Sequence, residues 1–151
     1  MADPKLQQVM DALGTRLKTI TQTNGYNYNL GKSVFEGRLS PYNESELPAL
    51  DFRELGALPD SDIVEDTIGL QTHEIDVEVE IITAAGKTTA TVLRKMVQDV
   101  VNAIGTDDTF GDLVEYAGYG GFDVTLDQSK KIIGGATVKF SLTYKTAQWE
   151  V

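Results

Sequence analysis

The stretch His73-Glu-Ile-Asp-Val-Glu-Val-Glu-Ile-Ile82, HEIDVEVEII, decides the fold. Ile75, Val77, Val79 and Ile81 alternate with Glu74, Asp76, Glu78 and Glu80. Successive side chains of a strand point to opposite faces, so this alternation predicts a half-buried antiparallel strand with one dry face and one acidic face. Beyond it, TAAGK (83–87) reads as a turn and a helix follows from about Thr88. Val92, Leu93, Met96, Val97, Val100, Val101 and Ile104 form that helix's apolar stripe, and Gly105 is placed to cap its end. DDTFGDLVEY (107–116) suggests a short helical turn led by Asp107 or Asp108.

Further along, Phe122, Val124 and Leu126 alternate with polar neighbours. Ala136, Val138, Phe140, Leu142 and Tyr144 then alternate with Thr137, Lys139, Ser141, Thr143 and Lys145. The two runs read as an antiparallel hairpin joined by the polar connection DQSKKIIGG (127–135). On the other side, Leu6, Val9, Met10, Leu13, Leu17 and Ile20 recur three and four apart. They predict a helix capped by Asp3, with Pro4 in its first position and its end near Thr23. Between Asn24 and Thr72 periodicity is weak. A short strand is expected at Val34 and Phe35, and another at Leu50 and Phe52, entered by Pro48. GALPDSDIVEDTIG (56–69) adds acids and a Pro-Asp turn signal. The expected architecture is α+β, a mixed or mainly antiparallel sheet with two helices packed on one face.

With 151 residues, 41% of them hydrophobic, the chain suits a single domain. Thirteen basic against 23 acidic residues give a net charge of −10. That balance argues against nucleic acid or an anionic membrane as the main partner, since both reward a basic face. No cysteine is present, which excludes disulfides, thiolate metal sites and cysteine nucleophiles, and one histidine excludes a multi-histidine site. No run reaches the ~18–20 apolar residues that span a bilayer, and the opening MADPKLQQVM does not read as a signal peptide.

Candidate chemistry is sparse. GYNYNLGKS (25–33) imitates a phosphate-binding loop, but five residues separate its glycines where the motif needs four, and it runs from helix to strand. TAAGKTT joins strand to helix, yet Ile81 stands where the first glycine belongs. His73 reads as a surface or strand-end residue, and neighbouring Glu74 points to the other face. Asp107, Asp108 and Asp112 lack the spacing of a calcium loop and suit capping instead. No cofactor and no metal are expected. Glu74, Asp76, Glu78 and Glu80, ~6.6 Å apart along one face, leave two readings open. They form either a solvated face neutralised by Lys139 and Lys145 across strands, or a negative wall that must face something without sticking to it.

The middle of the chain resembles the tail terminator family of long-tailed bacteriophages, the minor tail protein U type. The resemblance rests on VFEGR (Val34 to Arg38), eight residues, and then LPAL (Leu47 to Leu50). That family carries a Phe-Asp-Gly-Arg segment, a gap of the same length with an acidic run, and Phe-Pro-Ala. EIDVEVEI, LRKMVQDVV, GGFDVTLDQ and ATVKFSLTYK follow in the family's order, and this chain is longer around ELGALPDSDIVEDTIG. The resemblance implies a non-enzymatic virion protein at the head-proximal end of the tail, made in the host cytoplasm. Its copies would form a ring, expected to be a hexamer, that caps the tail tube, stops its growth and meets the head–tail connector protein. DNA would pass through without specific binding, and no membrane would be involved.

By the same analogy Phe35, Arg38, Tyr42, Glu44, Glu46 and Pro48 are candidate contacts with another subunit or the tail tube protein. Glu74, Asp76, Glu78 and Glu80 are candidate lumen-facing acids. A plain ion pair with a nearby acid is the alternative for Arg38. Loop aromatics Tyr26, Tyr28, Phe35, Tyr42, Phe110 and Tyr119 are expected to anchor interfaces or to cover the ends of the sheet. Other head–tail joining or tube proteins of similar fold fit the pattern too. So does a small ligand-binding domain with a site between subunits.

Overall fold

The computed structural model describes residues 3–59, 69–84, 88–125 and 132–151. HEIDVEVEII lies within the central strand β3 (Leu70–Ala84). On one side it pairs antiparallel with β2 (Ala49–Pro59), which pairs parallel with the short edge strand β1 (Val34–Glu36). On the other it pairs antiparallel with β5 (Ile132–Ala147), flanked by the opposite edge strand β4 (Tyr116–Val124). The order is β1-β2-β3-β5-β4. Two helices, α1 (Lys5–Leu17) and α2 (Ala90–Gly105), complete an α+β fold. They bury one face of the sheet in a single apolar cluster.

Alternation in β3 does what it predicts. Ile75, Val77, Val79 and Ile81 are at most 1% exposed. Fully burying each such side chain is worth about 1.5–3 kcal/mol. Phe52 from β2 and Val138, Phe140, Leu142 and Tyr144 from β5 continue the same dry face.

The ends of elements depart from expectation for local reasons. α1 begins after Pro4, which stands at the cap position with no side-chain cap, and it stops at Leu17, well before Thr23. There the Thr19 hydroxyl donates to the Arg16 carbonyl (2.6 Å) and Asn24 Nδ2 donates to the Thr19 carbonyl (2.8 Å). Such side-chain bonds compete with the helical ladder. Ile20 stays buried because the chain folds back beneath it: the Gly31 amide donates to the Ile20 carbonyl (2.8 Å). A Cβ at Gly31 would collide with the Lys18 carbonyl, so that close approach requires glycine.

α2 is capped by the Thr89 hydroxyl, which accepts from the Val92 amide (3.2 Å). Its far end is not closed by Gly105, which is the last helical residue. Arg16 of α1 instead donates to the carbonyls of Ala103 and Asp107, each at 3.1 Å. A cation there satisfies orphan carbonyls and complements the helix dipole. The residues after it form no helical turn: Phe110, Gly111 and Asp112 have φ of 49°, 66° and 67°, in the left-handed region. Asp107 organises them by accepting from the Thr109 hydroxyl (2.7 Å) and the Gly111 amide (2.8 Å), which holds its carboxyl below the usual carboxylate range.

Between Asn24 and Leu70 more is regular than the sequence suggests, because β2 runs on to Pro59 past a bulge at Glu54/Gly56. Asp99, on the buried side of α2 and only 1% exposed, accepts from the amides of Asn27 (3.0 Å) and Tyr28 (3.0 Å) and from Asn27 Nδ2 (2.9 Å). It pins the segment after α1 onto α2. The expected turn at 85–87, Lys87 with it, the acids of 60–68, and Leu126 with the polar connection through 131 lie outside the described residues.

Candidate functional site

β1 and β2 bring the residues of the VFEGR and LPAL segments into one cluster. Phe35 points to the face of the sheet away from the helices, opposite Asp51 in register. Gly37, at φ 56°, turns the chain and returns its amide to the Phe52 carbonyl (3.1 Å), and the Arg38 amide meets Asp51 Oδ1 (3.2 Å). The Arg38 guanidinium lies against two rings, 4.5 Å from the Phe35 centroid and 4.4 Å from that of Tyr42, and the rings themselves meet edge-on at 5.6 Å and 72°. It also donates to Ser40 Oγ (2.9 Å), the Pro41 carbonyl (2.7 Å) and Glu46 Oε1 (3.0 Å).

Glu46 is fixed from both sides. Its other oxygen accepts from the Asn43 amide (2.9 Å), closing a capping box over a 3-10 turn (Glu44–Glu46) that presents Glu44. Arg38 and that amide keep the Glu46 carboxyl below its ordinary range. Leu47–Pro48 is a cis peptide at the entry to β2. Phe35, Tyr42 and Glu46 thus all engage Arg38, and the ion pair considered for Arg38 is the one with Glu46, while the buried Tyr42 hydroxyl has no hydrogen-bond partner among the described residues. Burial, followed by the negative field of Asp51, pushes the Tyr42 hydroxyl up.

The acidic stripe continues across that same outer face. Glu74 and Asp76 are exposed, while Glu78 and Glu80 are half-buried. Of the two cations expected to neutralise the stripe, Lys139 is turned elsewhere. Lys139 stands opposite Glu78 in register but places its ammonium 2.9 Å from Asp123 of β4. The cation that reaches the stripe is Arg53 of β2, 2.9 Å from Glu78 and 3.3 Å from Glu80. Burial outweighs Arg53 at Glu80 and raises its pKa. Glu74 accepts from Ser141 Oγ (2.8 Å). Among the described residues Arg53 thus pairs with the Glu78–Glu80 half, while Glu74 and Asp76 are the exposed half.

Arg53 and Asp51 join the candidate site through these contacts, and the alternation in ALDFREL already puts both on the face opposite Leu50 and Phe52. Asp99 and Arg16 escaped for another reason. Only tertiary contact reveals what a lone polar residue beside an apolar stripe is for.

The remaining candidates take structural positions. His73 is buried, not at the surface. Its ring stacks on Tyr144 (5.1 Å between centroids, 17° between planes) and its Nε2 shares a hydrogen bond with Thr146 Oγ1 (2.8 Å). Burial lowers its pKa. Among the loop aromatics, Phe110 is in the core and Tyr26 and Tyr28 pack against it. Phe35 and Tyr42 hold Arg38, and Tyr119 remains half exposed on edge strand β4, so most of the set covers its own subunit. Among the described residues, no group of three or more His, Cys, Asp or Glu is placed to hold a metal ion, and no helix is long and apolar enough to cross a membrane.

No protein-family model matches the chain, and no curated protein matches its sequence.

Proposed function

We propose that this protein is a structural tail terminator of a long-tailed phage, acting as a ring of identical copies, six by analogy, at the head-proximal end of the tail. One observation carries the reading. The two segments on which the resemblance rests, Val34–Arg38 and Leu47–Leu50, and the eight residues between them form one fixed unit around Arg38. In this chain the spacing thus has a structural reason, which supports the analogy more than scattered identities would. The helix, the acidic strand, the second helix and the closing strand pair also come in the order the resemblance implies.

In this reading the ring stops tube growth, binds the tube protein on one side and the connector protein on the other, and performs no catalysis. The outer sheet face carrying Glu74 and Asp76 lines the channel, where like charge keeps DNA from sticking. The test is direct. Purified protein is sized by multi-angle light scattering, imaged for rings, and added to polymerising tail tubes. Rings that halt tube elongation support the proposal. A protein that stays monomeric at high concentration and leaves tube length unchanged sinks it.

A further inference from the structure

Thr83, near the end of β3, buries a hydroxyl that nothing in the chain answers. The residue is 1% exposed, and its Oγ1 has no hydrogen-bond partner among the described residues. Its side chain lies on the helix-bearing face of the sheet, beside Leu93 of α2. A Cβ at Gly135 of β5 would come 3.1 Å from Thr83 Oγ1 and 3.0 Å from Leu93 Cδ1, so glycine there leaves the hydroxyl its room. Buried polar side chains are mostly bonded. An orphan hydroxyl on a dry face is costly where a valine of the same shape is not.

The same residue lines a cleft of about 340 Å³. Leu47 and Pro48, at the entry to β2, line one side, and Val92 and Met96 of α2 line another. Thr83 and Met96 are the buried part of the lining, while Glu44 is exposed at the rim. The Thr88 hydroxyl, also in the lining, already donates to the Ala84 carbonyl (3.3 Å). Thr83 Oγ1 is thus the buried polar group left to an occupant. One water needs only ~10–15 Å³ and at least two polar partners, so a water does not account for this space. Apolar walls, a volume of roughly 300–1,000 Å³ and a few placed polar groups are the usual form of a small-molecule site. Glu44 is the charged residue of the lining, which disfavours an anion.

We propose that this cleft binds a small uncharged compound, of the size of a phenol or a cyclic ketone. Its hydroxyl or carbonyl oxygen bonds to Thr83 Oγ1, and its apolar body lies between Leu47–Pro48 and Val92–Met96. A threonine hydroxyl both donates and accepts, so either group suits it. Bound there, the compound ties the first turns of α2 to the entry of β2. All the lining comes from one copy of the chain, so the site does not depend on ring formation or on the proposed function.

Phenol and toluene test the site, because they share a shape and differ by a hydroxyl for a methyl. Isotope-labelled methionine methyl groups report binding at Met96, and Met10, buried under α1 and outside the lining, serves as reference. Phenol should shift the Met96 signal saturably and leave Met10 unmoved, and toluene should bind about tenfold more weakly. Thr83→Val should lower phenol affinity about tenfold, leave that of toluene unchanged and raise the thermal midpoint, since the orphan hydroxyl is gone. Val92→Phe, which fills the cleft and keeps the hydroxyl, should abolish binding of both. The site is overturned if phenol gives no saturable shift at Met96, if toluene binds the parent as tightly as phenol, or if either variant binds phenol like the parent. Should Thr83→Val not fold, the phenol-to-toluene ratio in the parent and the loss in Val92→Phe decide. Phenol binding by a chain that never forms rings leaves this site standing without the terminator reading. Rings that halt tubes but bind no phenol do the reverse.

Discussion

The Arg38 guanidinium sits in the corner made by the rings of Phe35 and Tyr42, which meet edge-on at 5.6 Å and 72°, with Glu46 3.0 Å from its Nη1. The cluster ties together a segment poor in regular structure. A guanidinium offers a flat surface to the rings and a fixed fork of donors to Ser40, Pro41 and Glu46, whereas an ammonium is a compact point charge that cannot serve all of them at once. Arg38→Lys should therefore not be conservative. It is expected to cost about 1–2 kcal/mol and Arg38→Ala somewhat more, from the loss of two ring contacts. Denaturant midpoints for the two variants check this. Equal stability of Arg38→Lys and the parent would show that charge alone suffices.

Asp99 presents a harsher case. Its carboxylate accepts three N–H groups from Asn27 and Tyr28 while almost fully buried. Asp99→Ala leaves those donors without a partner, and the expected loss is about 2–4 kcal/mol. Asp99→Asn keeps the shape but turns one acceptor into a donor facing an amide, so it should recover only part of the loss. Hydrogen exchange should locate the effect, with the amides of Asn27 and Tyr28 losing protection first.

Legibility of the fold followed periodicity. The strand around Ile75–Ile81 and the stripes of both helices were readable because burial repeats with the period of the element, and with them the class of the fold. Element ends were not, since they hang on single bonds between distant residues: Arg16 closing α2, Thr19 and Asn24 ending α1. The outer-face acids were readable as a stripe, but their partner was not. Lys139 is the cross-strand neighbour in register and still prefers Asp123, while Arg53 has the reach to serve two glutamates. The Arg38 cluster could be named from spacing by analogy, but that its members bind one another was visible only in three dimensions.

His73 sets a pH dependence with a definite sign. Burial depresses its folded-state pKa below the unfolded value near 6.5. Above that value both states are neutral and the residue contributes its full packing on Tyr144. As pH falls below it, the unfolded chain takes up the proton first, so stability declines through the folded-state pKa and levels off beneath it. The difference in unfolding free energy between the parent and His73→Gln should thus shrink as pH falls from 7.5 to 5. A difference that is constant across this range would show that the ring titrates alike in both states.

The acidic stripe offers the sharpest test of the channel reading. Unit charges a few ångströms apart repel by ~1 kcal/mol even in a water-like dielectric, and a ring repeats that cost around its wall. The half of the stripe that matters is the exposed one. Glu78 and Glu80 are occupied by Arg53, so Glu78→Lys with Glu80→Lys crowds three cations together and perturbs the sheet as well as the field. Glu74 and Asp76 are exposed, face away from the core, and lie clear of that ion pair. Glu74→Lys with Asp76→Lys should leave thermal stability within about 1 kcal/mol of the parent, as for most exposed substitutions. Virions carrying it should assemble at normal yield but release DNA more slowly, and more so at low ionic strength, where screening is weakest. Ejection at the parent rate in low salt, with the variant confirmed in the particles, would move the stripe from the channel to an ordinary solvated face.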